Sequence, residues 1–113
     1  MPECIFCNII SKKLPAEFVY QDDTVVAFKD VQPQAPFHFL IVPKKHLETL
    51  NDMSQTPELY GKLMQVAVSL AKEHGFDTSG YRIVANCHED GGQTVYHVHF
   101  HLLGGRHLIW PPG

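Results

Sequence analysis

Alternation of apolar and polar residues, interrupted by glycine and proline, divides the chain into short strands and two helical segments. A strand needs a period of two and a helix a period near 3.6, and Val, Ile, Phe and Tyr dominate the short segments. The pattern predicts a short helix at 4–11, a long helix within 54–74, and strands at 17–21, 25–30, 37–42, 81–86 and 96–103.

The long helix carries signals for its start and its end. Thr56 is the candidate cap, Pro57 suits the first turn, and Gly75 follows the last helical residue. The apolar face of this helix is wider than packing against the core alone requires, so the helix is either buried deeply or packed on both the core and a partner subunit. Its apolar positions are Leu59, Tyr60, Leu63, Met64, Val66, Ala67, Val68 and Leu70.

Together these elements predict an α+β fold, with about five antiparallel strands, one long helix and a short N-terminal helix. The chain has 113 residues, of which 44% are hydrophobic and 19% charged, a composition typical of a globular protein. A chain of this length buries a sizeable core, so we expect one domain over residues 1–113.

The charge pattern argues against several classes of partner. The formal net charge is −3, and the basic pairs Lys12-Lys13 and Lys44-Lys45 do not form the stripe that duplex nucleic acid requires. The sequence has no apolar run as long as a membrane span, and its first segment lacks the features of a signal peptide. We therefore expect a cytoplasmic protein with neither a nucleic-acid nor a membrane partner.

The last predicted strand carries three histidines on one face. His97, His99 and His101 alternate with the apolar residues of VHFHL, so the imidazoles share one side and the apolar residues fill the other. Neighbours on one face lie roughly 7 Å apart, which allows two of them to share a metal or one of them to attack a bound substrate. The spacing leaves both kinds of chemistry open.

Two of the three cysteines form a Cys-x-x-Cys motif. Disulfides are rare in a reducing cytoplasm, so Cys4 and Cys7 are candidate metal ligands or redox thiols. A tetrahedral structural zinc needs two more ligands, which His46 and one strand histidine would supply. The strand and helix context of a thioredoxin-like motif is missing, which favours zinc over redox chemistry. Cys87 is interpreted as a small buried apolar residue.

The segment GGQTVYHVHFHLLGGR resembles the signature of the histidine triad (HIT) nucleotide-binding family. The resemblance extends through CIFCNII, FKDVQPQAPFHFLIVPKKH, YRIVAN and the terminal WPPG, which together are similar to the Hint branch. Members of that branch hydrolyse purine nucleoside phosphoramidates such as AMP linked to an amine. His101 stands where the uridylyltransferase branch has glutamine, and WPPG argues against the dinucleoside polyphosphate hydrolase branch.

The resemblance implies a HIT-like fold whose sheet extends across a homodimer. It also implies one structural zinc ion per chain, as in CxxC-bearing bacterial-type members. Those members bind zinc through both cysteines, the histidine of PKKH and the first triad histidine, here Cys4, Cys7, His46 and His97. Trp110 of WPPG is implied to shape the leaving-group pocket across the dimer interface.

On the same resemblance, the catalytic residues are His99, His101 and His38. His99 would attack the phosphorus, expel the amine and form a nucleotidyl-histidine that water hydrolyses. His38 would support the imidazoles by helping to fix their tautomers. The residues implied to surround the phosphate are Asn86, Gly92, Thr94, His99 and His101. Thr94 stands where many members have serine, which adds a methyl group near the leaving amine.

The resemblance also implies a nucleoside site. Its residues are Ile5, Phe6, Ile9, Phe28, Lys29, Asp30 and Val31. Apolar side chains would hold the base, and the carboxylate of Asp30 would bind the ribose hydroxyls. Lys29 replaces a histidine that other members often carry, and we expect it to contribute mainly backbone. The expected ligand is a purine nucleotide such as AMP or GMP.

Two other classes of function stay open on the residues alone. The three strand histidines could hold a catalytic metal with an open position for water, as in a zinc hydrolase. The chain could also be a nucleotide-binding or adaptor protein whose hydrolase activity is incidental. Inhibition by a chelator would indicate the first class, and nucleotide binding without turnover would indicate the second.

Overall fold

The computed structural model describes residues 4–113. This part of the chain contains five strands, two α-helices and one 3-10 helix. In chain order they are α1 (Ile5–Ile10), β1 (Phe18–Gln21), β2 (Val25–Lys29), β3 (Phe37–Pro43), the 3-10 helix Leu50–Met53, α2 (Pro57–Glu73), β4 (Tyr81–Ala85) and β5 (Phe100–Gly104). The first three residues, on which the expectation of no signal peptide partly rests, lie outside the described residues. None of the helices in the described part is long and apolar enough to cross a bilayer.

The strands form one antiparallel sheet in the order β1-β2-β3-β5-β4. The central strand β3 pairs with β2 on one side and β5 on the other, so that Leu40 lies opposite both Phe28 and His101. Because β5 lies between them, β3 and β4 are parallel to each other and need a crossover connection. Helix α2 makes that crossover over one face of the sheet.

The two faces of the sheet bury two separate apolar clusters. On the α2 face, Ile41 and Leu102 pack with helix residues such as Leu63. On the opposite face, Leu40 and Val42 of β3 pack with residues of β2 and α1. Successive residues of a strand point to opposite faces, so β3 can be buried almost continuously and still serve both clusters.

The fold expectation is confirmed: the architecture is α+β, with five antiparallel strands, one long helix and one short N-terminal helix. Most strand boundaries differ from the expected ones by a single residue, but the strand expected at 96–103 begins only at Phe100. The reason is that the Val98 N–H donates to the carbonyl of Leu47, 2.7 Å away, in the connection that follows β3. The segment before Phe100 therefore bends away from the sheet and leaves the ladder.

Helix α2 begins at Pro57 with Thr56 at the N-cap position, as expected, but the Thr56 side chain does not cap the helix. The Thr56 hydroxyl donates to the carbonyl of Met53 and makes no capping bond to the helix. On the apolar face, Leu63 and Leu70 are buried, whereas Met64 and Val68 are 44% and 43% exposed. In the single chain the helix is therefore not buried all round, and this outer part of its apolar face is open.

A pair of glycine substitutions tests the packing between β5 and the end of α2. A Cβ at Gly104 would lie 2.3 Å from the ring of Phe76, which stacks on Phe37 with centroids 4.5 Å apart. Gly104→Ala should lower the free energy of unfolding by about 1–3 kcal/mol, because the stacked ring has no room to move. Gly61→Ala, on the open side of α2, should raise it by about 0.5–1 kcal/mol. Urea unfolding measures both, and equal stability of Gly104→Ala and wild type would refute the packing argument.

Candidate functional site

The three histidines lie on the sheet face that α1 covers. His97 and His99 belong to the irregular segment before β5, and His101 belongs to β5 itself. His97 is fully buried and His99 nearly so, and the ring of Phe6 in α1 meets both edge-on, with centroids 5.9 and 5.0 Å away. The three imidazoles therefore share the side of the sheet on which α1 lies, while Phe100 and the other spacers enter the α2 cluster.

Cys4, Cys7, His46 and His97 bring four ligand atoms within 4.8 Å of one another. The measured edges are Cys4 Sγ to His97 Nδ1 3.3 Å, Cys7 Sγ to His46 Nδ1 3.3 Å, Cys7 Sγ to His97 Nδ1 3.6 Å, and His46 Nδ1 to His97 Nδ1 3.1 Å. Metal–sulfur and metal–nitrogen bonds of about 2.3 and 2.0 Å give a tetrahedron with edges of about 3.3–3.8 Å. The four residues can therefore hold a metal ion.

Local structure accounts for the convergence of the two cysteines. Cys4 is the N-cap of α1, and its sulfur accepts a hydrogen bond from the backbone N–H of Cys7, one turn later. Burial and the neighbouring Cys4 raise the pKa of the Cys7 thiol. A divalent cation between the sulfurs would oppose that shift by favouring the thiolate.

The hydrogen bond made by Nε2 of His97 shows that the other ring nitrogen, Nδ1, carries the lone pair that faces the cysteines. Nε2 lies 2.8 Å from the carbonyl oxygen of Pro43, and a carbonyl can only accept, so Nε2 carries the proton. Burial lowers the pKa of His97 to about 4, which keeps the ring neutral near pH 7. Nδ1 therefore presents a lone pair to the cysteines, the arrangement that a metal-binding histidine needs.

His99 is held in the opposite tautomer. Its Nδ1 lies 2.8 Å from the carbonyl oxygen of His97 and must donate to it, so Nε2 keeps its lone pair. Burial lowers the pKa of His99 and favours the neutral ring. A neutral imidazole with a free Nε2 can act as a nucleophile or a base.

His38 and His101 form a hydrogen-bonded pair whose direction is set by the backbone. The N–H of Gln34 donates to His38 Nδ1 at 3.0 Å, so the proton of a neutral His38 lies on Nε2. That Nε2–H donates to His101 Nδ1 at 2.9 Å, which leaves the His101 proton on its own Nε2. Burial lowers the pKa of His38 and lowers that of His101 to about 4.

A cavity of about 410 Å³ opens beside His99 and His101. This volume is in the range of small-molecule sites, and its wall is mostly apolar with one carboxylate. The structure brings together all seven residues expected in the nucleoside site, together with Thr94 and the two histidines. The cavity is lined, among others, by Ile5, Phe6, Ile9, Phe28, Lys29, Asp30, Val31, Thr94, His99 and His101.

Three of the residues expected around the phosphate and the leaving group lie outside this cavity. Asn86 follows the end of β4, and Gly92 lies in the loop 88–95 with a positive φ of 80°. Neither lines the cavity. Trp110 is 80% exposed near the end of the chain and contributes nothing to the cavity of its own chain.

The three strand histidines do not converge on one point. His97 belongs to the group with the cysteines, whereas His101 belongs to a group with Asp30 and His38. His99 directs one nitrogen to a backbone carbonyl and joins neither group in the described part of the chain. This geometry argues against a single catalytic metal bound by His97, His99 and His101.

Sequence reasoning missed Gln93 as a residue that organises the site. Its buried side chain donates to the carbonyls of Glu48 and Val95 and accepts the N–H of His88. These bonds tie the loop to the connection after β3 and hold Thr94 beside the cavity. The sequence carried a signal for this, since a long polar side chain, Gln93, directly follows the two glycines of GGQT.

The chain matches the model of the HIT domain family over residues 11–108. It therefore belongs to the HIT family, in agreement with the alternating histidines on this fold. Its relatives include the purine nucleoside phosphoramidase of Escherichia coli (strain K12), 48% identical over 107 residues that cover 94% of this chain and 90% of the relative. An uncharacterised HIT-like protein of Synechococcus elongatus is 47% identical over 112 residues, covering 98% of this chain and 97% of that protein.

Solved structures agree with this assignment. A HIT family hydrolase from Legionella pneumophila superposes with a TM-score of 0.95 at 47% identity, covering 98% of this chain and 100% of the other. A histidine triad protein from Clostridium difficile gives a TM-score of 0.94 at 44% identity, covering 96% of each chain. The fold is thus shared over nearly the whole chain.

Proposed function

We propose that this protein is a nucleotide-binding hydrolase that cleaves the P–N bond of purine nucleoside phosphoramidates through a nucleotidyl-His99 intermediate. The observation that carries the proposal is the free Nε2 of a neutral, buried His99 at the wall of a nucleotide-sized cavity. The name of the Escherichia coli relative, purine nucleoside phosphoramidase, supports the same chemistry.

The cavity offers a separate place for each part of such a substrate. Phe6, Ile9 and Phe28 provide an apolar slot for the purine, and Asp30 provides a carboxylate for the ribose hydroxyls. Lys29 contributes mainly backbone, because its ammonium group already pairs with Glu17 at 2.7 Å. A purine nucleotide such as AMP or GMP is the ligand that fits this arrangement.

The phosphate would lie between the histidines and the loop 88–95. His101 presents Nε2–H as a donor, and the Thr94 hydroxyl lines the same part of the cavity. Donors placed there stabilise the charge that develops on the phosphate oxygens. Asn86 and Gly92 are assigned to the same role on resemblance, and a bound phosphate would have to draw their loops closer.

The reaction consists of two displacements at phosphorus. The Nε2 lone pair of His99 attacks, the P–N bond breaks, and the amine leaves with the electron pair and takes up a proton. Water then attacks the nucleotidyl-His99, the new P–N bond breaks, and the proton released by water returns to the imidazoles. The covalent route divides one difficult displacement into two easier ones.

The metal in the Cys4, Cys7, His46 and His97 site is proposed to be zinc, one ion per chain, with a structural role. Two sulfurs and two nitrogens at tetrahedral spacing are the donor set that zinc prefers. Because all four positions are protein ligands, no position is left for water, and the metal would fix α1 rather than take part in the reaction. Cysteines that are not in disulfides suit a reducing compartment, so the cytoplasm is the proposed location.

A homodimer is proposed as the working form. Met64 and Val68 on α2 and Ile109 and Trp110 near the chain end are exposed apolar side chains that a partner would cover. The sheet also ends at β4, an edge strand that a second sheet could extend. In such a dimer Trp110 would reach the leaving-group side of the partner's cavity.

Replacement of His99 tests the proposed nucleophile. His99→Ala should keep the fold, the metal and nucleotide binding, but lose several orders of magnitude in turnover, as removal of a covalent nucleophile generally does. Rapid quench of the wild type with an adenosine phosphoramidate, followed by intact mass measurement, should detect a nucleotidyl adduct within residues 96–103. Near-full turnover in His99→Ala, or an adduct on another residue, would refute the mechanism.

Elemental analysis of protein purified without added metal tests the metal site. We expect close to one zinc per chain in the wild type and in Cys87→Ser, and loss of the metal in Cys7→Ser and His97→Ala, with reduced stability. Cys87 is the matched control because it lies outside the ligand group. Less than about a tenth of an equivalent of zinc, with both thiols freely reactive, would refute the metal site and leave the motif with a redox role or no functional role.

Truncation tests the proposed contribution of the chain end. Removal of residues 110–113 should change the ranking of amine leaving groups more than it changes nucleotide affinity, because Trp110 lines no part of its own cavity. Light scattering at micromolar concentration should give the mass of a dimer for the full chain. A monomer, or a truncated protein with unchanged leaving-group preference, would contradict this arrangement.

A further inference from the structure

Asp30 lies between the proposed ribose site and the His38–His101 pair. Its Oδ1 accepts the backbone N–H of Gln32 at 2.8 Å, and its Oδ2 lies 3.4 Å from His38 Nε2. The carboxyl side chain is 18% exposed and lines the cavity, whereas the His38 side chain behind it is 4% exposed. One carboxylate thus faces a substrate group on one side and a buried imidazole on the other.

The hydrogen-bond pattern gives the His38–His101 pair little capacity to hold an extra proton. His38 Nδ1 accepts the N–H of Gln34, so protonating that nitrogen would set two N–H groups against each other. A proton on His101 Nδ1 would point at the His38 Nε2–H, because these two nitrogens are only 2.9 Å apart. A positive charge on the pair would then need a compensating negative charge nearby, and Asp30 Oδ2 lies 3.4 Å from His38 Nε2.

Charges around the pair point to the same carboxylate. Burial lowers the pKa of both His38 and His101, and the charge of Asp30 opposes this for both rings. Lys29 and His74 border the small cavity behind His38, but the Lys29 ammonium is paired with Glu17. His99 faces His101 from the same strand segment and, as a second imidazole, would disfavour a cation there.

We propose that Asp30, besides binding ribose, is the positioning residue whose negative charge lets the His38–His101 pair hold the proton that the leaving amine needs. The inference rests on the proposed phosphoramidate hydrolysis. When the P–N bond breaks and its electron pair moves to nitrogen, His101 Nε2 gives that nitrogen its proton and the pair becomes neutral. The water that cleaves the nucleotidyl-His99 returns a proton to the pair, so protons balance over the cycle.

Asp30→Asn separates this role from ribose binding when two substrates are compared. These are an adenosine phosphoramidate and its 2′,3′-dideoxy analogue with the same amine, each assayed for kcat and KM across a pH series. With both substrates, Asp30→Asn should lower kcat by at least about tenfold, the scale of a lost hydrogen bond to a charged group. The fall of kcat at high pH should begin about one pH unit lower, because the imidazolium loses its counter-charge.

Two control variants accompany the measurement. Asp23→Asn removes an exposed acid from the turn after β1, outside the cavity, and should behave as the wild type. Asp30→Glu keeps the charge and should recover part of kcat and of the pH profile. Unchanged zinc content and thermal unfolding would show that Asp30→Asn is folded.

A histidine titration by NMR reads the same effect without turnover. In Asp30→Asn the titration midpoints of His38 and His101 should move to lower pH, and in Asp23→Asn they should stay. If Asp30→Asn only raises KM for the ribose substrate, matches the wild type on the dideoxy substrate and leaves both titrations unchanged, Asp30 is a ribose ligand alone. Wild-type protein that turns over neither substrate would instead overturn the proposed function, and the titration would still decide the role of Asp30.

Discussion

A neutral imidazole carries a single N–H, so the group that accepts this proton decides which nitrogen stays free. Burial keeps His97 and His99 neutral, and backbone groups then fix their tautomers. The carbonyl of Pro43 turns Nδ1 of His97 toward the cysteines, and the carbonyl of His97 leaves Nε2 of His99 free. The surrounding backbone thereby gives these two neighbouring histidines different chemistry.

Helix α1 connects the metal site to the cavity. Its first turn carries Cys4 and Cys7, while Phe6 and Ile9 on the same helix form the apolar wall beside His99. A helix of six residues is too short to be stable alone, so tertiary contacts must hold it in place. A metal bound at its N-terminus would therefore also order the apolar wall of the cavity, and in this way a metal outside the cavity would affect the binding of a ligand inside it.

Much of this arrangement could be predicted from the sequence. Alternation in VHFHL places three imidazoles on one face, and CxxC with His46 indicates a metal, because side-chain type and period carry that information. The departure of the chain from the β3 ladder before Phe100 could not be predicted, since it depends on a hydrogen bond from Val98 to Leu47. The tautomers depend on backbone carbonyls, which have no signature in the sequence. The distance of Asn86 from the cavity is likewise a property of loop geometry.

The proton on His99 is the feature that the account depends on most, and it can be observed directly. Long-range proton–nitrogen NMR spectra of the ¹⁵N-histidine-labelled, metal-loaded protein at neutral pH distinguish the two neutral tautomers of each ring. We expect His99 to carry its proton on Nδ1 with an unprotonated Nε2, and His97 to carry its proton on Nε2. A His99 ring that is protonated on Nε2, or charged, would have no lone pair on Nε2 to attack the phosphorus, and the proposed mechanism would be wrong.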